Sequence, residues 1–184
     1  SSRRNWPPLP RGLGNGRPAV AVSSGVRHPC AIVDVCFVTC WADGSYGRLG
    51  NGGAPATSTP TVTASLGTGR TAVTVSTGGY HTCAILDTGD VSCWGEGSNG
   101  QLGNGGTSDQ TTPTLTSSLG TGRTAVALSS GYRHTCAILD YGNVSCWGDG
   151  SYGRLGNGGT SAKTTPTVTS SLGTGRTAVA PASG

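Results

Sequence analysis

The chain repeats itself every 53 residues, and this period restricts the fold more than any other feature of the sequence. His28, His81 and His134 keep that spacing, as do Cys30, Cys83 and Cys136, then Cys40, Cys93 and Cys146, then Trp41, Trp94 and Trp147. Arg17, Arg70, Arg123 and Arg176 hold the same register, without slippage from about Leu13 onward. A fixed period of this length marks a repeat architecture, in which each unit buries its apolar surface against its neighbours. The units divide as a segment 1–16, a degenerate repeat 17–69, repeats 70–122 and 123–175, and the start of a fourth at 176–184.

Composition decides what each unit is made of. Glycine supplies 33 of 184 residues, methionine is absent and Phe37 is the single phenylalanine. Long amphipathic helices need runs of Ala, Leu, Glu and Lys, which are missing. Short Val/Thr/Ser segments between Gly, Asn, Asp and Pro clusters read as strands and turns. The second copy shows four of them: RTAVTVS (70–76), HTCAIL (81–86), DVSCWG (90–95) and TTPTLTSSL (111–119). Four short antiparallel strands in one period make one blade of a β-propeller, so the chain is expected to be all-β.

The formal charge of +4 comes almost entirely from arginines spread at regular intervals, with Lys163 the only lysine. Nucleic-acid binding usually needs a concentrated basic stripe, so no nucleic acid is expected as partner. No apolar run approaches the ~20 residues that span a bilayer. SSRRNWPPLPRG lacks the apolar middle of a signal peptide, and with no initiator methionine the chain reads as a mature product or an excised piece.

The stretch from His81 to Gly105, H-T-C-A-I-L…G-D-V-S-C-W-G…G-Q-L-G-N-G, resembles the repeat of the regulator of chromosome condensation family. The likeness covers three copies plus partial ends. It implies a propeller, commonly seven-bladed, a fold that hosts exchange factors, enzyme inhibitors and binding domains alike. Two departures stand out. Paired cysteines lie outside the general pattern and suit a secreted branch, and Arg48 and Arg154 replace the glutamine that Gln101 retains. The chain holds about 3.5 periods, too few to close a ring of about 4–8 blades alone. It is therefore expected to be part of a longer propeller, or to self-associate as a homodimeric ring or a polymer through exposed strand edges.

Three chemistries compete for the repeated His and Cys pair: a metal site, a redox dithiol and a structural disulfide. Pairing Cys83 with Cys93 sets Ala84 against Ser92, Ile85 against Val91 and Leu86 against Asp90, leaving Asp87, Thr88 and Gly89 as a three-residue loop. That is the hairpin built from a type I turn and a left-handed glycine, which supports the register independently. Directly opposed Cβ atoms lie within reach of a disulfide. Zinc wants four ligands, and each repeat offers two Cys and one His, although His81 and Cys83 share a face. The disulfides Cys30–Cys40, Cys83–Cys93 and Cys136–Cys146 are the expected state, with no metal or other cofactor. They place the protein in an oxidising setting, extracellular or at the cell surface. Cys36 is the odd cysteine, standing where Gly89 and Gly142 stand in the other copies, with drift or a free or intermolecular thiol as its two readings.

Other repeated positions read as structural. The histidines are expected to tie strands within each blade, and the tryptophans after the second cysteine to pack between blades. The arginine of LGTGR is expected to bond loop carbonyls or an adjacent blade, with anion binding as its alternative. Asp43, Glu96 and Asp149 share one register, but a lone carboxylate per loop makes a poor calcium cage. LGNGG and GEGSNG lack the lysine and helix of a phosphate-binding loop. Asn143-Val144-Ser145 fits the N-glycosylation sequon at a hairpin loop.

No Ser/His/Asp or paired-acid constellation stands out among eight acidic residues, so no enzyme activity is expected. The even spacing leaves no insertion for a GTPase and disulfides argue against a nuclear setting, which sets an exchange factor behind two other readings; an enzyme inhibitor ranks behind them as well. One is an extracellular module that binds a protein or a glycan through its blade loops. The other is a structural protein assembling into a surface layer or filament, favoured slightly by near-identical repeats such as SSLGTGRTAVALSSG.

Overall fold

The computed structural model describes residues 18–34, 37–174 and 176–179. The first blade comprises β1 (Ala19–Ser24), β2 (Pro29–Val33), β3 (Phe37–Ala42) and β4 (Thr57–Val62). The second comprises β5 (Ala72–Thr77), β6 (His81–Leu86), β7 (Val91–Gly95) and β8 (Gln110–Leu115). The third comprises β9 (Ala125–Ser130), β10 (His134–Leu139), β11 (Val144–Gly148) and β12 (Lys163–Val168). Each is a four-stranded antiparallel sheet in sequence order, so the all-β, four-strand propeller architecture is the one observed.

The hairpin register follows its turn chemistry. Cys83 faces Cys93, Ala84 faces Ser92 and Ile85 faces Val91. The Leu86 amide donates to the Asp90 carbonyl and the Gly89 amide to that of Leu86, both at 2.8 Å. Gly89 closes the loop at φ +80°, in the left-handed region glycine enters without penalty. The fourth strand is shorter than its Thr-rich sequence suggests, ending at Leu115 rather than residue 119. It is the outer edge of the blade, where Pro113 is tolerated because no further strand needs its missing N–H. Beyond it the Ser117 amide turns to the Gly103 carbonyl.

The apolar cores lie between blades. Cys30, Ile32, Val38 and Cys40 of the first blade pack with Ala72, Val75, Ala84 and Trp94 of the second. Cys83, Ile85, Val91 and Cys93 then pack with Ala125, Ala137, Leu139 and Trp147 of the third. Strand alternation explains the division of labour. Along β6, Cys83 and Ile85 face the following blade while Ala84 faces the preceding one. Loops joining the first strand to the second, and the third to the fourth, gather at one end of the blades, opposite the 87–89 hairpin turn.

Candidate functional site: an arginine–tyrosine face over an interblade clasp

At the middle of each blade two cysteine sulfurs meet. Cys30 and Cys40 stand 2.08 Å apart, Cys83 and Cys93 2.13 Å, and Cys136 and Cys146 2.13 Å, each with Cα atoms 4.1 Å apart. The sulfurs occupy the blade interfaces, with Cys83 Sγ 3.8 Å from Thr135 Oγ1 of the next blade.

His28 and His81 join blades instead of strands within a blade. His28 Nε2 lies 2.6 Å from Thr82 Oγ1, and His81 Nε2 2.8 Å from Thr135 Oγ1. Thr82 donates its own proton to the Arg48 carbonyl at 2.9 Å, and Thr135 donates to the Gln101 carbonyl at 3.1 Å. Each hydroxyl is therefore free only to accept, which assigns the imidazole proton to Nε2. The indoles of Trp94 and Trp147 donate to the same two carbonyls at 3.0 Å. Three hydrogen bonds thus clasp each pair of neighbouring blades among the described residues. His28 and His81 are left with a buried Nδ1 lone pair that has no partner among the described residues. Burial pushes the imidazole of His28 down to about 4, helped by Arg48 and opposed by Asp43. Burial pushes His81 down to about 3, helped by its histidine neighbours. His134 is lowered in the same direction, by burial first. All three stay neutral at ordinary pH.

The end of the blades above this clasp carries a ladder of rings and guanidinium groups. Tyr46 and Tyr80 meet edge to face at 5.8 Å between centroids, and Tyr80 and Tyr132 at 5.1 Å. The Tyr132 hydroxyl donates to the Tyr80 oxygen at 2.6 Å. Arg27 lies 5.4 Å and Arg48 4.8 Å from the Tyr80 centroid, Arg48 5.5 Å from that of Tyr46, and Arg133 5.6 Å from that of Tyr132. These are cation–π distances. The hydrogen bond from Tyr132, with the charges of Arg27 and Arg133, holds the Tyr80 phenol below its ordinary range, and the same bond holds Tyr132 above it. Arg48 is buried beneath the ladder, with its guanidinium 3.3 Å from Asp43 and its Nε donating to the Ser45 carbonyl. Tyr46 and Tyr132 remain 48% and 45% exposed.

The repeated carboxylates serve their own loops. Asp43 accepts from the Ser45 amide and hydroxyl, and Asp149 does the same with Ser151, which holds both carboxyls below their usual range. Glu96 accepts from Ser98 and Gln101. Among the described residues no group of His, Cys, Asp and Glu is arranged to hold a metal ion. At the opposite end Arg70 pairs with Asp87 at 3.6 Å and Arg123 with Asp140 at 3.4 Å, each within its own blade. The Arg176 amide donates to the Gly173 carbonyl. Asn143 is exposed beside its hairpin turn. Trp41 is only half-buried, unlike Trp94 and Trp147. Arg17 and Cys36 lie outside the described residues. No helix among the described residues is long and apolar enough to cross a membrane, which says nothing of strands.

The profile of the Regulator of chromosome condensation (RCC1) repeat matches residues 40–85, 88–138 and 141–184, and a second RCC1 repeat profile matches 72–101 and 125–154. The chain belongs to the RCC1 repeat family. Human E3 ubiquitin-protein ligase HERC2 is 36% identical over 154 residues, which is 83% of this chain and 3% of that protein. The Arabidopsis thaliana ultraviolet-B receptor UVR8 is 33% identical over 160 residues, covering 86% of this chain and 36% of the receptor. Among solved structures, Saccharomyces cerevisiae Prp20p superposes with a TM-score of 0.74 at 17% identity, and human WBSCR16 with 0.71 at 22%. Both comparisons cover 39% of the solved chain, with 85% and 83% of this one, and establish the fold. The chain therefore spans well under half the length of these relatives.

Within this RCC1 array, several of the positions that vary between copies fall on the arginine–tyrosine face. Gly79 corresponds to Tyr132, Tyr80 to Arg27 and Arg133, Asn99 to Tyr46 and Tyr152, and Gln101 to Arg48 and Arg154. Sequence reasoning passed over these tyrosines because a repeat alignment emphasises what recurs. Divergence at loop positions in an otherwise regular array was the available signal.

Proposed function

We propose that this RCC1-repeat propeller is a non-catalytic binding module of an oxidising, extracytoplasmic compartment, presenting its arginine–tyrosine face to a partner protein. The observation that carries this reading is the continuous ladder Tyr46–Tyr80–Tyr132, flanked by Arg27, Arg48 and Arg133. Arginine and tyrosine are enriched where protein interfaces are strongest, because each offers a rigid apolar area with a polar tip. Tyr46 and Tyr152 are held at φ +62° and +61°, a costly conformation for a bulky side chain and one that clusters at functional sites. The three cysteine pairs at disulfide distance support the compartment. The yeast structure was reported with that protein's binding to Gsp1p and histones, so the fold is used for protein recognition elsewhere.

The test is affinity capture from the secreted fraction of source cells, with the parent chain and a Tyr46→Ser/Tyr80→Ser/Tyr132→Ser variant as parallel baits. A partner retained by the parent and lost by the folded variant is the expected result. Identical sets of captured proteins would refute the assignment of this face.

Self-association is the second reading, favoured by the half-buried Trp41, to which no neighbouring blade supplies a carbonyl among the described residues. Head-to-tail contact of two copies would bring Pro29, which stands where Thr82 and Thr135 stand in the other blades, against His134. Proline has no hydroxyl for the clasp, so each junction between copies formed by this route lacks two of the three clasp hydrogen bonds, the one a histidine makes to the hydroxyl and the one the hydroxyl makes to a carbonyl. Light scattering decides: a concentration-independent monomer removes this reading.

A further inference from the structure

We infer that Arg27, Tyr80, Tyr132 and Arg133 form a seat for a carboxylate-rich segment of a partner protein; this rests on the binding reading above and names the chemistry of its ligand. Guanidinium groups already lie over rings of the cluster. Arg27 and Arg48 lie against Tyr80, and Arg133 lies against Tyr132. Successive rings stand at 86° and 75° to one another, so the three rings do not make one flat aromatic platform. The exposed polar groups of the cluster are mostly donors: the guanidinium groups of Arg27 and Arg133, both exposed, beside two phenol oxygens 2.6 Å apart. Donors of this kind match carboxylates, which a guanidinium takes in a two-point grip.

The charge state of the cluster supports the same ligand. Arg133 has no carboxylate within ion-pair distance among the described residues, and Arg27, with its side chain 53% exposed, has only Asp43 at 4.0 Å. Arg48 is the arginine that Asp43 holds closely, at 3.3 Å. Two guanidinium groups are thus oriented by tyrosines and left largely unneutralised. Packing on rings lowers the freedom they would lose on binding, so less of the interaction is spent on ordering them. Asp43 is a built-in competitor, since an incoming carboxylate must approach the arginine it partly neutralises.

Fluorescence anisotropy with the full chain tests the proposal, using a labelled peptide of alternating glutamate and glycine, a lysine counterpart and a heparin fragment. The glutamate peptide should bind at 50 mM salt, the lysine peptide should not, and binding should weaken several-fold at 200 mM, as expected of exposed charges. Arg27→Ala/Arg133→Ala should weaken it about 10-fold or more, and Tyr132→Phe about 3-fold. Asp43→Asn should strengthen it, by roughly 3-fold. Arg70→Ala/Arg123→Ala, at the other end of the blades, removes the same two charges and is the control for net charge. Failure of the glutamate peptide to exceed the lysine peptide overturns the proposal. So does an equal loss in the Arg70/Arg123 and Arg27/Arg133 variants. Tighter heparin binding that is lost with Arg27 and Arg133 reassigns the face to a sulfated glycan and equally overturns it. If the tyrosine variant still loses its captured partner while the glutamate peptide fails, the ligand chemistry is wrong and the binding face stands.

Discussion

The first and second blades share a plan and differ in how completely they execute it. In the second, Thr82 and Trp94 receive the clasp of the preceding blade, and Gly95 makes the turn out of β7 at φ +103°. In the first, Pro29 stands for the threonine, Trp41 is half-buried, and Ala42 occupies the glycine position at φ +80°. A Cβ on Gly95 would fall 2.6 Å from the Tyr80 carbonyl oxygen and 2.8 Å from His81 Cα within its own blade, and 3.3 Å from Arg48 Cα of the preceding blade, so that site is reserved for glycine from both sides. At the threonine and tryptophan positions the comparison teaches that blade-to-blade contact enforces the repeat. Positions that serve a neighbour are intact where a neighbour packs, and relaxed on the face of the first blade that meets none among the described residues.

Acid is expected to expose this dependence most strongly. A histidine whose folded pKa is below its unfolded value of about 6.5 binds fewer protons folded than unfolded, so it contributes full stability above that value and loses it as pH falls. The window runs from about 6.5 down to about 4 for His28, and down to about 3 for His81. Each buried imidazole adds a slope of about 1.4 kcal/mol per pH unit. Denaturant titrations between pH 7 and pH 4.5 should show a steep fall, and His81→Gln should flatten it. A profile unchanged by that substitution would break the link between the clasp and pH.

The hydroxyl of the clasp comes next. Thr82→Val strips the His28 Nε2 of its acceptor and the Arg48 carbonyl of one donor, at a cost of about 2–3 kcal/mol. Pro29→Thr in the first blade should change stability by less than about 0.5 kcal/mol, since no blade faces it among the described residues. Equal effects at the two positions would erase the distinction between the blades.

The turn out of the third strand gives the smallest effect. Ala42→Gly should stabilise by about 0.5–1 kcal/mol, the release of left-handed strain being partly offset by greater freedom of the unfolded chain. Gly95→Ala should destabilise, and by more, because of its close contacts. Thermal melts of the two variants report this directly, and a destabilised Ala42→Gly protein would contradict it.

These differences mark where the sequence was readable. The strands, the opposition of Cys83 and Cys93 and the role of Gly89 follow from period-two alternation and turn chemistry, which act over a few residues. The clasp does not, because it joins residues 54, 34 and 46 positions apart whose meeting depends on how one blade sits on the next. From the alternation of its own strands alone, His81 is expected to bond within its own blade. The shared face of His81 and Cys83 was visible in the alternation, but the Thr135 opposite it was not. The tyrosine ladder was hidden differently: Tyr80 aligns with Arg27 and Arg133 in the repeat, and an alignment places such residues in one column when the fold sets them side by side.

Covalent closure of every blade is the claim that joins the fold to its compartment, and peptide mapping tests it most directly. Protein from its native source is denatured, alkylated without reductant and digested. The expected result is three linked peptide pairs, Cys30 with Cys40, Cys83 with Cys93 and Cys136 with Cys146, with those six of the seven cysteines resisting alkylation. Full alkylation of all seven cysteines in the native protein would contradict the account.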